Sequence, residues 1–196
     1  MTLRVPEATE ASVQTVRSHL SGLAGRTGFR DRALTRANPA GLALAVPHDV
    51  YSLGLSDLAE GASLDAATVV GRRFIVMDGD KPIASAEVAD QDKGSGFQAN
   101  EGPYVEATAA AIEHAERDPD LADNDYEVRV LRIPALYVMA LWLKNEQGGA
   151  DVLIPLDPTP APLEAGRKYA PAEIRSPLAE AACARLAFDD EDEPGP

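Results

Sequence analysis

A single cysteine, Cys183, stands in this chain of 196 residues, so no internal disulfide can form and nothing demands an oxidising compartment. Long hydrophobic runs are missing as well. The longest, residues 135–143, is about half the roughly 18 residues of a membrane span. Residues 1–11 hold no apolar core of signal-peptide length and carry Glu7 and Glu10, so a cytoplasmic location is expected. Positive charge is scarce: Lys and Arg number 18 against 32 Asp and Glu, for a net charge of −14. The only basic cluster is Arg26, Arg30, Arg32 and Arg36, which reads as a solvated loop or short helix. A field of this sign repels phosphate backbones and anionic headgroups, which disfavours nucleic acid and membrane surfaces and favours a basic partner.

Motifs that carry chemistry are absent too. The histidines His19, His48 and His114 are scattered singly, with no His-x₃-His or Cys-x₂-Cys pair, so no metal site is expected. His19 borders the apolar stripe of its helix, and His114 stands on an exposed helix face among Glu113 and Glu116. Asp118, Asp120, Asp123 and Asp125 are dense, but an EF-hand starting at Asp118 needs Gly at Asp123 and Glu at Arg129. There is no nucleophile elbow, since Gly94-Ser95-Gly96 has the wrong spacing, and no glycine-rich phosphate cradle. No cofactor is expected. Cys183, in an alanine-rich helix, reads as a buried small hydrophobe.

What is present is a folding pattern. At 45% hydrophobic and 26% charged residues the chain can bury an ordinary core without staples. Val13, Val16, Leu20 and Leu23 predict an amphipathic helix over residues 6–23, closed by Gly25. Residues 42–46 predict a short strand ended by Pro47, and residues 51–58 a short helix. Residues 68–77 and 83–88 flank Asp78-Gly79-Asp80 and predict a hairpin, with Pro82 tolerated at the start of its second strand. Residues 90–102 are polar and predict a loop; Pro103 then opens a helix to about residue 116. Residues 126–133 and 136–143 carry the strongest strand signal, the second apolar on both faces and therefore central, and residues 152–156 return as another strand. A last helix is expected over residues 171–188, kinked or restarted at Pro177.

The expected fold class is therefore α+β: an antiparallel sheet built from two or more hairpins with helices packed on it, in the order α-ββ-α-ββ-α. Residues 1–188 form one expected domain, with 157–170 a proline-rich connector to the C-terminal helix and 189–196 a disordered acidic tail.

On function the sequence favours a non-catalytic binding or accessory protein. Its partner would be a peptide or protein, a basic one suiting the acidic surface, taken up at an exposed sheet edge or groove; a homodimer is the variant of this idea. The strand at residues 126–133 and its neighbour are the place to look, with Tyr137 and Trp142 as amphipathic contact area, although both also suit a core. The alternative is an enzyme with a noncontiguous site on a small molecule, using His48 as base and Asp49 as its orienting carboxylate, with Arg132 or Tyr137 assisting. Adjacent residues rarely face each other, and Asp49 is an equally good helix cap. No catalytic, cofactor or metal residue is assigned.

Overall fold

The two strands with the strongest signal pair with each other inside the sheet, neither of them at its edge. In the computed structural model, which describes residues 2–23, 33–89 and 96–191, these are β6 (Asp125–Ile133) and β7 (Val138–Asn145). They pair antiparallel from Tyr126↔Asn145 to Ile133↔Val138. Every residue of β7 except Lys144 is buried, as a strand apolar on both faces requires. The basic residues Arg26, Arg30 and Arg32, the expected helix end at Gly25, residues 90–95 of the expected loop and residues 192–196 lie outside the described residues.

The other elements, in chain order, are β1 (Thr2–Arg4), α1 (Glu10–Leu23), α2 (Ala33–Arg36), β2 (Leu42–Ser52), α3 (Leu55–Ala59), β3 (Thr68–Asp78), β4 (Lys81–Ala89), β5 (Phe97–Asn100), α4 (Pro103–Arg117), β8 (Val152–Pro155) and α5 (Pro171–Glu191). Among the described residues the strands form one eight-stranded sheet in the order β5-β4-β3-β2-β6-β7-β8, with β1 also on β6. The α+β class holds, but the order α-ββ-α-ββ-α does not, and the sheet is larger and mixed. Both β1 and the end of β2 run parallel to β6, reached by the long path through β3, β4, β5 and α4 instead of a tight turn.

Three local causes account for the difference. Pro47 was expected to end a strand; instead β2 runs through it, because Val46 and Pro47 together span the place of Phe74 on β3, and a bulge needs no ladder N–H from proline. Val46 takes φ 44° there. Residues 97–100 were read as loop, yet Phe97 and Ala99 alternate with exposed Gln98 and Asn100, the pattern of an outer strand. β1 is three residues long, too short to show a period. The β3–β4 hairpin forms around a two-residue turn with Gly79 at φ 60°, and Pro82 sits near the start of β4.

α4 and α5 cover opposite faces. Ile112 and Ala115 of α4 pack with Val128, Val130, Leu141 and Leu143. Ile174, Leu178 and Ala182 of α5 pack with Leu131, Ile133 and Trp142, which point the other way along the same strands. α1 contributes Val16 and Leu20 to a third cluster with Phe74, Val76, Ala84 and Ala86, on the α5 side of the sheet. α4 starts where Gly102 takes φ 145°, a backbone region that side chains forbid, followed by Pro103 at the first helical position. α5 does not restart at Pro177: it runs unbroken through it and three residues beyond Phe188. Glu173 accepts from the Ala170 N–H at 2.8 Å and closes the first turn.

At Gly71 the β3 backbone lies against β4 with no room for a side chain. A Cβ there would lie 2.6 Å from the Val88 carbonyl oxygen and 3.4 Å from Glu87 Cγ, so backbone has to move. Gly71→Ala is expected to destabilise the fold by about 2 kcal/mol, read as a lowered urea midpoint; a change below about 0.5 kcal/mol would contradict the packing described.

Candidate functional site

Two places gather the residues singled out from the sequence. The first is a charged row inside the sheet, on the face covered by α4. Cross-strand register sets His48 opposite Arg73 and Arg73 opposite Glu87. Arg73 donates to Glu87 Oε2 through Nε (3.3 Å) and Nη2 (3.0 Å), and its Nη1 lies 3.2 Å from the Met139 sulfur. Arg132, from β6, donates to Glu87 Oε1 at 3.0 Å. One carboxylate thus serves two guanidiniums. Side-chain exposure is 4% for Arg73, 7% for Glu87 and 26% for Arg132, so the pair Arg73–Glu87 is deeply desolvated and only Arg132 reaches the surface. Burial pushes the Arg73 guanidinium below its usual range, and Glu87 pulls it back.

His48 is fully buried, and its Nδ1 lies 2.7 Å from the Val46 carbonyl oxygen. A carbonyl only accepts, so Nδ1 carries the proton and Nε2 presents a bare lone pair. Among the described residues neither His48 Nε2 nor Arg132 Nε has a hydrogen-bond partner. Burial holds the His48 ring at a pKa of about 4, against the support of the Val46 bond. The ring is neutral at physiological pH.

The pairing of His48 with Asp49 does not form. Successive residues of a strand point to opposite faces, and Asp49 turns to the other side, where it accepts from Arg72 Nε at 2.8 Å. Arg132 does join the His48 face, through Glu87. Arg73 and Glu87 were missed in the sequence. Their signal was a charge inside each strand of a predicted hairpin, but an ideal two-residue turn would set Glu87 against Arg72. A one-residue bulge at Ile83 shifts the register by one and brings Arg73 opposite instead.

The second place is a groove on the α5 side. Pro134–Leu136 forms a 3-10 turn and Tyr137 follows in a left-handed conformation (φ 55°, ψ 30°), with 80% of its surface exposed. The carbonyl oxygens of Tyr137 and Pro158 lie 3.0 and 2.7 Å from the Tyr104 hydroxyl, which ties the 3-10 turn, the connector and the start of α4 together. Between the 3-10 turn, residues 160–163 and α5 lies an apolar cavity of about 420 Å³. α5 lines it with Pro177, Ala181, Ala184 and Phe188, a stripe beside the buried Ile174, Leu178 and Ala182. Phe188 is 57% exposed, and Arg185, the one charged residue among the described lining residues, lies over its ring with Cζ 5.8 Å from the centroid.

The remaining candidates separate. Trp142 is a core residue, 2% exposed, with its indole N–H donated to Asp151 at 2.9 Å. The strand at residues 126–133 is no edge, having β7 on one side and β1 and β2 on the other. The outer strand β8 is closed: Leu153 exchanges both backbone bonds with Tyr169, Gly166 N–H donates to the Pro155 carbonyl, and proline has no N–H to offer. Asp118 and Asp120 both accept from Lys168 at 2.7 Å. Among the described residues no group of three or more His, Cys, Asp or Glu is placed to hold a metal. Cys183, expected to be buried, is exposed, because Ala182 takes the inward position. His19 stacks on Phe97 at 4.4 Å, and His114 stands on the outer face of α4, bonded to Ala110. No described helix is long and apolar enough to cross a membrane.

Two outcomes follow for the charged row. Glu87→Gln leaves the buried Arg73 charge unpaired and is expected to cost about 3–5 kcal/mol in chemical denaturation; a loss under about 1 kcal/mol would contradict the shared-carboxylate geometry. Between pH 6.5 and about 4 the unfolded chain protonates His48 while the folded chain does not, so stability falls as the pH is lowered through that window. The contribution levels off below it at about 3 kcal/mol. Urea unfolding at pH 7.5 and 5 should therefore show a smaller loss for His48→Gln than for the unmodified chain, and equal losses would contradict a neutral buried ring.

Compared with known proteins, the chain matches no family model, no curated protein and no solved structure.

Proposed function

We propose that this chain is a non-catalytic binding or accessory protein that engages a peptide or protein partner in the groove between Tyr137 and Phe188. The observation that carries the reading is where exposed apolar surface lies. Among the described residues the large hydrophobics left exposed are Val5, Tyr137 and Phe188, and the last two line the same cavity. An aromatic held out into water at 80% exposure beside a second at 57% forfeits burial that a partner can restore. Prolines line the groove on both sides, at Pro160, Pro162 and Pro177, so little chain entropy is lost when it is filled.

A groove fits better than strand addition at β8, whose backbone groups are taken up by residues 166–169. The enzyme alternative built on His48 and Asp49 has less support, since the two side chains leave β2 on opposite faces and Asp49 is engaged by Arg72.

The test is a pull-down from native lysate with the unmodified chain and with a Tyr137→Ala/Phe188→Ala double variant. Both side chains are exposed, so the melting temperature should stay within a few degrees. A stoichiometric partner should be retained by the unmodified chain and weakened roughly 30-fold or more in the variant, as for loss of two aromatic anchors. A partner retained equally by both would overturn the groove.

A further inference from the structure

A separate pocket lies at the other end of α5 from Phe188. Leu53 just past β2, Leu58 of α3, residues 62–64 and the first turns of α5 enclose about 220 Å³. Its walls are apolar: Leu53, Leu58 and Leu178 are buried core residues and Leu64 is half-buried. Space remains between them because Ala62, Ser63 and Ala172 are small. α5 brings Ala172, Arg175 and Leu178 to the pocket at a spacing of three, one side of a helix. No Asp or Glu is among the described lining residues, although the chain holds 32 of them. The charged residue that is there, Arg175, is exposed and has no ion pair or hydrogen bond among the described residues. A larger cavity beside α4, of about 860 Å³, differs on this point. Arg117, Arg167 and Lys168 line it, but each is already held by a carboxylate, of Glu113, Glu164 and Asp118 respectively.

Independently of the groove reading, we infer that this pocket binds a small monocarboxylic acid, its apolar body among Leu53, Leu58, Leu64 and Leu178 and its carboxylate on Arg175. The volume exceeds the roughly 150 Å³ that takes up benzene in an apolar cavity, which sets the body at the size of a leucine side chain or a phenyl ring. A guanidinium donates to both oxygens of one carboxylate, and no described lining carboxylate competes for it. A cationic ligand would be repelled by Arg175 and a neutral one would leave it unused, so charge selects an acid over an amine or amide. The net charge of −14 gives an anion no attraction at long range, so selectivity has to come from contact with Arg175.

The test follows amide chemical shifts of the full chain while 4-methylpentanoate is added. 4-Methylpentanamide and acetate serve as probes lacking the charge and the apolar body in turn. The acid should give saturable shifts at residues 53–64 and 171–178 and bind about tenfold more tightly than either probe. Arg175→Gln should lower its affinity to that of the amide, and Arg175→Lys should restore part of it. Ala172→Phe, which fills the pocket from an exposed position, should abolish binding with the melting temperature within a few degrees. N-acetylleucine, the same body on a peptide-like terminus, should bind more weakly, because Ser63, the uncharged polar side chain among the described lining residues, is engaged by Asp65. Tighter binding would assign the pocket to a chain terminus and overturn the free acid. Tyr137→Ala/Phe188→Ala should bind 4-methylpentanoate as the unmodified chain does, which separates failure of this pocket from failure of the groove. Equal affinities for acid and amide, or an acid affinity unchanged in Arg175→Gln, would overturn the inference. Shifts that do not approach saturation by roughly 20 mM, a generous limit for so few heavy atoms, would overturn the pocket as a binding site.

Discussion

One carboxylate holds three strands of this sheet in register. Glu87 of β4 takes Arg73 of β3 beside it and Arg132 of β6 from across β2, with all three on the face that α4 closes. An ion pair at 4% and 7% exposure is weak as a source of net stability, because desolvating both charges offsets most of their attraction. It is strong as a constraint. Slipping β3 against β4 by one residue would turn Arg73 to the other face and leave Glu87 without its partner in a dry interior. The neighbouring bulges, at Val46–Pro47 and at Ile83, set the register that this tie then keeps.

The row explains why a sheet of mixed direction is well defined where its strands are least regular. β2 bends at Val46–Pro47, pairs with β3 along its length and reaches β6 only over its last four residues. Buried His48 fills the space next to the bend and stays neutral, so it adds no further charge to a site that already holds two cations and one anion. On the opposite face α5 sits on Leu131, Ile133 and Trp142 through one stripe and leaves the adjoining stripe to the groove. The partner surface proposed is therefore the outer side of a helix whose inner side is fixed to the β6–β7 pair.

How much of this was legible in the sequence depends on whether the signal was local. The periodicity of Val16 and Leu20, the Asp78-Gly79-Asp80 turn and the doubly apolar run of β7 are local, and each element formed near its expected place. β1 and β5 are held by their neighbours more than by their own composition, which left one unseen and the other read as loop. Pro47 misled because a bulge, which depends on the partner strand, removes the penalty that proline carries in a ladder. The charged row was hidden for the same reason: one extra residue at Ile83 decides whether Glu87 meets Arg72 or Arg73. Tyr137 was named as contact area alongside Trp142, but only the fold separates the exposed ring from the buried one.

The central claim is that a partner meets the outer stripe of α5 while the charged sheet beneath stays closed. Amide chemical-shift mapping of the full chain with a bound peptide or partner tests it most directly. The account predicts shifts confined to residues 135–138, 160–163 and 177–191, with His48, Arg73, Glu87 and Arg132 unmoved. Shifts centred on β5, or on the His48–Arg132 row with α5 silent, would contradict it.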